Sequence, residues 1–90
     1  MTEYVIDLKT VFGVDDLHEI LEDTLDFPEY YERSLDTLKE VFEEQTYGWH
    51  LKFTGCSDAE AILGRFMGKF RRACEEAEKT NEFFKAEFED

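Results

Sequence analysis

Three short segments of this chain carry a hydrophobic period of 2, and their placement constrains the fold more than any other feature. Tyr4-Val5-Ile6-Asp7-Leu8 sets Tyr4, Ile6 and Leu8 against Val5 and Asp7, with Asp7 the one polar residue. Strands buried on both faces have that pattern. Trp49-His50-Leu51-Lys52-Phe53 alternates strictly, as a strand with one buried face does. Phe83-Phe84-Lys85-Ala86-Glu87-Phe88 reads as a last strand. The intervening stretches have helical spacing and are far longer than hairpin turns. Strands joined by helical connections pair in parallel through right-handed crossovers. The expected class is therefore α/β, a small three-stranded parallel sheet flanked by about three helices in the order β-α-α-β-α-β. The order of strands within the sheet stays open.

The helices have readable ends. Leu17, Ile20, Leu21 and Leu25 recur at helical spacing from Val14, and Asp15 and Asp16 sit where carboxylates favour a helix start. Pro28 denies Phe27 helical geometry, so Pro28-Glu29-Tyr30-Tyr31 becomes a connector. Ser34 suits the N-cap of a second helix with the apolar stripe Leu35, Leu38, Val41 and Phe42. Ser57 and Glu60 form a capping box. Behind them Ile62, Leu63, Phe66, Met67, Phe70, Ala73, Cys74 and Ala77 predict one long helix to about Lys79. Gly64 and Gly68 each cost that helix roughly 1 kcal/mol relative to alanine. They are expected to be close-packing points, because Arg65, Lys69 and Arg72 around them do not suit a membrane dimer motif.

Charge decides what this fold can touch. The 90 residues hold 23 acidic and 10 basic side chains, a formal charge of −13. Asp15 to Glu44 alone holds 12 acidic residues against Arg33 and Lys39, a net −10. Such a chain is a poor ligand for nucleic acid or anionic membrane, which are bound through Lys and Arg. It is not a disordered acidic tail, because 42% of it is hydrophobic and 16% aromatic. Length predicts a single domain over residues 1–90. Cys56 and Cys74 match no metal or redox spacing and are expected to be reduced and inert. The first ten residues lack a signal sequence, and no stretch approaches a membrane span. These features predict a cytoplasmic protein.

No catalytic constellation stands out. His18 is expected to pair with Asp15 and Glu22 on its own helix, and His50 falls on the polar side of a strand. Nothing orients His50 and Cys56 as a nucleophilic pair. No metal-binding motif or phosphate-cradling glycine loop exists, so no metal and no cofactor is expected. The informative feature is the second helix, where Asp36, Glu40 and Glu43 stack opposite the apolar stripe. Like charges at such spacing destabilise a helix by roughly 0.2–0.5 kcal/mol per pair. Lys39, beside them, relieves part of the repulsion. One reading is a solvated helix face. The other is an anionic docking surface for a cationic partner, with Tyr30, Tyr31 and Trp49 as aromatic anchors or as core.

At these residues the chain resembles the barstar family of intracellular ribonuclease inhibitors. Asp16-Leu17-His18, Phe27-Pro28-Glu29-Tyr30-Tyr31 and Leu35-Asp36-x-Leu38 with Glu40 match it in order and spacing, best over residues 4–45. The resemblance implies an inhibitor, not an enzyme, that plugs the cleft of a small basic ribonuclease or nuclease toxin. An acidic helix and its preceding loop do this, with carboxylates at phosphate positions. It implies partner contacts at Tyr30, Asp36 and Glu40, with Lys39, Glu43 and Glu44 beside them. A monomer when free is expected, with weak self-association through Arg65, Lys69, Arg71 and Arg72 against the acidic face of a second copy left open. Several residues depart from the pattern. Lys39 and Gln45 stand at tryptophan positions, Glu32 and Ser34 replace Gly and Asn, and Arg72 stands for a contacting glutamate. The stretch after the second helix is short, with a small helix expected to be missing. An interaction module that has lost nuclease inhibition, or an acidic mimic of nucleic acid, are the rival expectations.

Overall fold

The computed structural model describes residues 1–90. In chain order the elements are β1 (Thr2–Asp7), α1 (Val14–Thr24), α2 (Leu35–Glu44), β2 (Trp49–Thr54), α3 (Cys56–Leu63), α4 (Arg65–Thr80) and β3 (Phe84–Phe88). The sheet order is β1-β2-β3 and both pairings are parallel. This is the α/β class, and the alternation of strands with helical connections, that the alternating periods predict. Four residues, 45–48, join α2 to β2 with no helix between them.

Register puts every inward side chain on one face. Tyr4 lies opposite Leu51 and Ile6 opposite Phe53, while Trp49, Leu51 and Phe53 face Phe84, Ala86 and Phe88. The helices cover this face: Leu17 and Leu21 of α1, Leu38, Val41 and Phe42 of α2, and Met67, Phe70, Cys74 and Ala77 of α4 join the same buried cluster. The opposite face is polar. Glu3, Val5 and Asp7 neighbour His50, Lys52 and Thr54 there. Lys52 pairs with Glu3 at 3.9 Å and His50 with Glu87. Two expectations fail on this point. β1 is an edge strand buried on one face only, with Val5 63% exposed, because both crossovers run over the same side. Leu8, fully buried, lies past the end of the strand.

The long helix expected up to Lys79 is two helices. Gly64 adopts φ 57° and ψ −127°, a conformation that glycine alone reaches cheaply, and α4 restarts at Arg65. A Cβ at Gly64 or Gly68 would meet nothing within 4 Å, so neither is a close-packing point. Nor is Ser57 an N-cap. Gly55, in the left-handed region at φ 70°, caps α3 two residues earlier than the capping box suggested, and the Ser57 hydroxyl donates to Asp90 instead (2.7 Å).

Both cysteines are buried and free. Burial raises each thiol pKa, which suppresses the reactive thiolate. His50 is bonded to Glu87 on the open sheet face while Cys56 is in the core, so the two form no nucleophilic pair. No helix is long and apolar enough to cross a membrane.

Candidate anionic docking face

Both ends of α2 are fixed. At its start Ser34 forms a reciprocal cap with Thr37: Thr37 N–H donates to Ser34 Oγ (3.2 Å) and Ser34 N–H to Thr37 Oγ1 (3.4 Å). This confirms the N-cap read from the sequence. Arg33, just before it, is the one non-glycine residue with positive φ, 55°. Its guanidinium grips Glu22 of α1 through two bonds (2.7 and 3.3 Å), tying the connector to α1 and setting the direction in which α2 leaves. At the far end, Asn81 donates to the carbonyls of Phe42 (2.9 Å) and Gln45 (2.8 Å) and accepts from Phe83 N–H (2.9 Å). Gln45 donates to Phe83 C=O (2.8 Å) and accepts from Gly48 N–H (3.2 Å). These two buried amides satisfy the last carbonyls of α2 and the turn into β2, groups that would otherwise be orphaned.

The acidic face of α2 differs in detail from the expected one. Asp36, Glu40 and Glu44 are exposed, at i, i+4 and i+8 along a single side. Glu43 leaves that stripe. It is half-buried and accepts a hydrogen bond from Thr80 Oγ1 at the end of α4 (3.2 Å). Lys39 is likewise drawn sideways, its ammonium 2.7 Å from Glu76 of α4, so its charge is shared between Glu76 and the Asp36 end of the stripe. The pairing holds the Lys39 pKa above and the Glu76 pKa below their ordinary values. Lys69 and Arg72 line the shallow groove between α2 and α4 with Asp36, Lys39 and Glu76, giving the stripe a basic border.

Tyr30 stands at the other border. Its hydroxyl donates to Glu44 Oε2 (2.8 Å). Desolvation first, then the hydrogen bond to Glu44 and the Glu44 and Glu40 charges, push its pKa up to about 12. Tyr30, Glu40 and Glu44 thus form one electrostatic group, whereas Asp36 lies nearer the basic border. Tyr31 and Trp49 are packing residues. Tyr31 meets Phe27 edge-on at 4.5 Å, and Trp49 is buried.

His18 does not pair with Asp15 or Glu22. It is 1% exposed, its Nδ1 meets the Tyr31 hydroxyl, and Nε2 has no hydrogen-bond partner. Burial, reinforced by the nearby Arg33 charge, lowers its pKa and keeps it neutral. The residue falls on the apolar side of α1 beside Leu17 and Leu21, and that position was the available signal. The clamp roles of Gln45 and Asn81 had no such signal, because the three bonds that tie the end of α2 to the turn before β3 each reach across more than 30 residues of sequence.

A family model described as Barstar (barnase inhibitor) matches residues 1–89. The chain belongs to the barstar family. No curated protein matches it. Family membership supports a ribonuclease-inhibitor-like role and a protein partner of the nuclease kind, and barstar-family members are inhibitors, not enzymes. The exposed carboxylates of α2 suit that role chemically: each can accept two parallel hydrogen bonds from an arginine, as a phosphate does.

Proposed function

We propose that this chain inhibits a small basic ribonuclease or related nuclease toxin by covering its active site with α2 and the loop before it. Asp36, Glu40 and Glu44 stand in for substrate phosphates. Tyr30 packs beside them, and Lys39 and Glu43 set the border toward α4. The observation that carries the reading is the exposed stripe Asp36–Glu40–Glu44, bordered by Tyr30 on one side and by the basic groove toward α4 on the other, on the capped helix of a barstar-family chain. The protein would act as an antitoxin-like monomer in the cytoplasm, protecting cellular RNA without cofactor, metal or membrane.

The test is inhibition of barnase, and of other small basic ribonucleases, in an RNA-cleavage assay across a salt series. Association should be fast at low salt and slow as salt rises, because long-range attraction is screened. Asp36→Ala with Glu40→Ala should abolish inhibition while the unfolding midpoint stays near that of the parent. Unchanged inhibition by that double variant would refute the site.

Lys39, Lys69 and Arg72 favour a second reading, an interaction module of the same fold that no longer inhibits a nuclease. Its signature would be failure against every basic ribonuclease together with capture of a non-nuclease partner through the same helix. An acidic mimic of nucleic acid would instead compete with RNA or DNA for a partner that lacks catalytic residues.

A further inference from the structure

Two grooves meet beside the α2–β2 turn, and Asp26, Tyr47 and Trp49 line both. The first, about 290 Å³, is walled by Phe27, Pro28, Tyr30 and Tyr47 and bears Asp26 and Glu44. The second, about 340 Å³, runs from Tyr47 across Trp49 to Tyr4 and bears Glu22, Asp23 and Asp26. No Lys, Arg or His lines either one. Of these carboxylates Glu22 alone is neutralised, by Arg33, whereas Asp23, Asp26 and Glu44 belong to none of the ion pairs of the chain.

Tyr47 is 71% exposed, yet its ring is held parallel to the buried Trp49 indole, 5.6 Å between centroids and 17° between planes. Stacking on a fixed indole offers the outer face of Tyr47 to solvent without free rotation of the ring. Across the first groove the Tyr30 hydroxyl is fixed on Glu44. An aromatic face, an adjacent carboxylate and the absence of any resident cation together describe a receptor for a flat cation. Guanidinium fits better than ammonium, because it stacks on a ring while its edge donates paired hydrogen bonds to a carboxylate.

We propose that these grooves take an arginine side chain of the basic partner, stacked on Tyr47 and bonded at its edge to Glu44 or Asp26. The proposal rests on the nuclease-inhibitor reading and extends its docking face past α2 onto the turn at residues 45–48. Glu44 then has two tasks, anchoring Tyr30 and receiving the guanidinium, and affinity also depends on Tyr47, a residue outside the helix stripe.

The experiment is an NMR titration of the full chain with the dipeptide N-acetyl-Arg-Arg-amide at low ionic strength, following the Tyr47 and Tyr30 rings and the Trp49 indole. Saturable shifts at these three are expected, with the Lys-Lys dipeptide binding more weakly. Tyr47→Ala should weaken the Arg-Arg dipeptide about two- to fivefold, the range of an exposed cation–π contact, while Tyr47→Phe keeps it. Glu44→Gln gives a second route to weakening without touching the aromatic stack. Shifts confined to Asp36–Glu40, equal binding of the two dipeptides, or full affinity in Tyr47→Ala would each overturn the proposal. Concentration-dependent shifts without dipeptide would assign the grooves to a second copy and overturn it too. The Asp36→Ala, Glu40→Ala variant should still show the groove shifts. Loss of the nuclease reading and loss of the arginine site are therefore separate outcomes.

Discussion

Replacing Asn81 with alanine should cost this protein about 3 kcal/mol of folding free energy. The side chain is 8% exposed and makes three hydrogen bonds of 2.8–2.9 Å, to Phe42 C=O, Gln45 C=O and Phe83 N–H. Each is worth about 0.5–1.5 kcal/mol net, and removal leaves backbone groups without their partner. A chain of this length has a total stability of about 5–13 kcal/mol, so one substitution removes a large fraction. Urea unfolding followed by the single tryptophan, Trp49, measures it, with an expected drop in midpoint of roughly 1–3 M at unchanged slope. Asn81→Asp sharpens the test. Its carboxylate still accepts from Phe83 N–H but faces two carbonyls, so its folded-state pKa must lie above the unfolded value of about 3.9. The folded state then binds more protons than the unfolded one, and Asn81→Asp should regain stability as pH falls toward that value. A loss below about 1 kcal/mol in Asn81→Ala, with no acid recovery in Asn81→Asp, would refute the clamp.

Three further outcomes follow from the geometry. Lys39→Ala removes a positive charge beside the acidic stripe and an exposed ion pair with Glu76; it should barely move the unfolding midpoint but tighten binding to a basic ribonuclease a few-fold, read as faster association at low salt. His18 has a folded-state pKa below its unfolded value of about 6.5, so the unfolded state binds the extra proton and stability should fall as pH drops below that value. Melting temperatures from pH 7.5 to 5.5 should show this slope in the parent and lose it in His18→Gln, in a window above the carboxylate titrations. Gly55→Ala would place a Cβ 2.5 Å from Lys9 Cγ and 3.0 Å from Lys9 N at φ 70°, and should destabilise by at least ~1 kcal/mol in urea unfolding.

How the candidate docking face is fixed shows where sequence reasoning stops. The acidic helix was legible: Ser34 at the cap, the stripe Leu38, Val41 and Phe42 turned inward, and carboxylates at a four-residue spacing. Those are local properties of one helix, and period and capping chemistry determine them. Which carboxylates remain available was not legible. Glu43 and Lys39 look like members of the exposed face until α4 arrives with Thr80 and Glu76 to take them. His18 likewise looks ion-paired until Tyr31, on the connector, closes over it.

By itself the sequence determined the α/β class, the alternation of strands with helical connections, the concentration of charge in Asp15–Glu44 and the motifs that resemble barstar. All of these follow from neighbours within a few residues, where spacing is geometry. Tertiary structure alone decided that β1 lies at an edge with Val5 in solvent, that Gly64 splits one periodic helix into two, and that Gln45 and Asn81 lock the end of α2. It also decided that Tyr47 stands stacked over Trp49 between two acidic grooves. These depend on which side the crossovers run and on contacts between distant segments. An apolar pattern specifies that a face must be covered, but not what covers it.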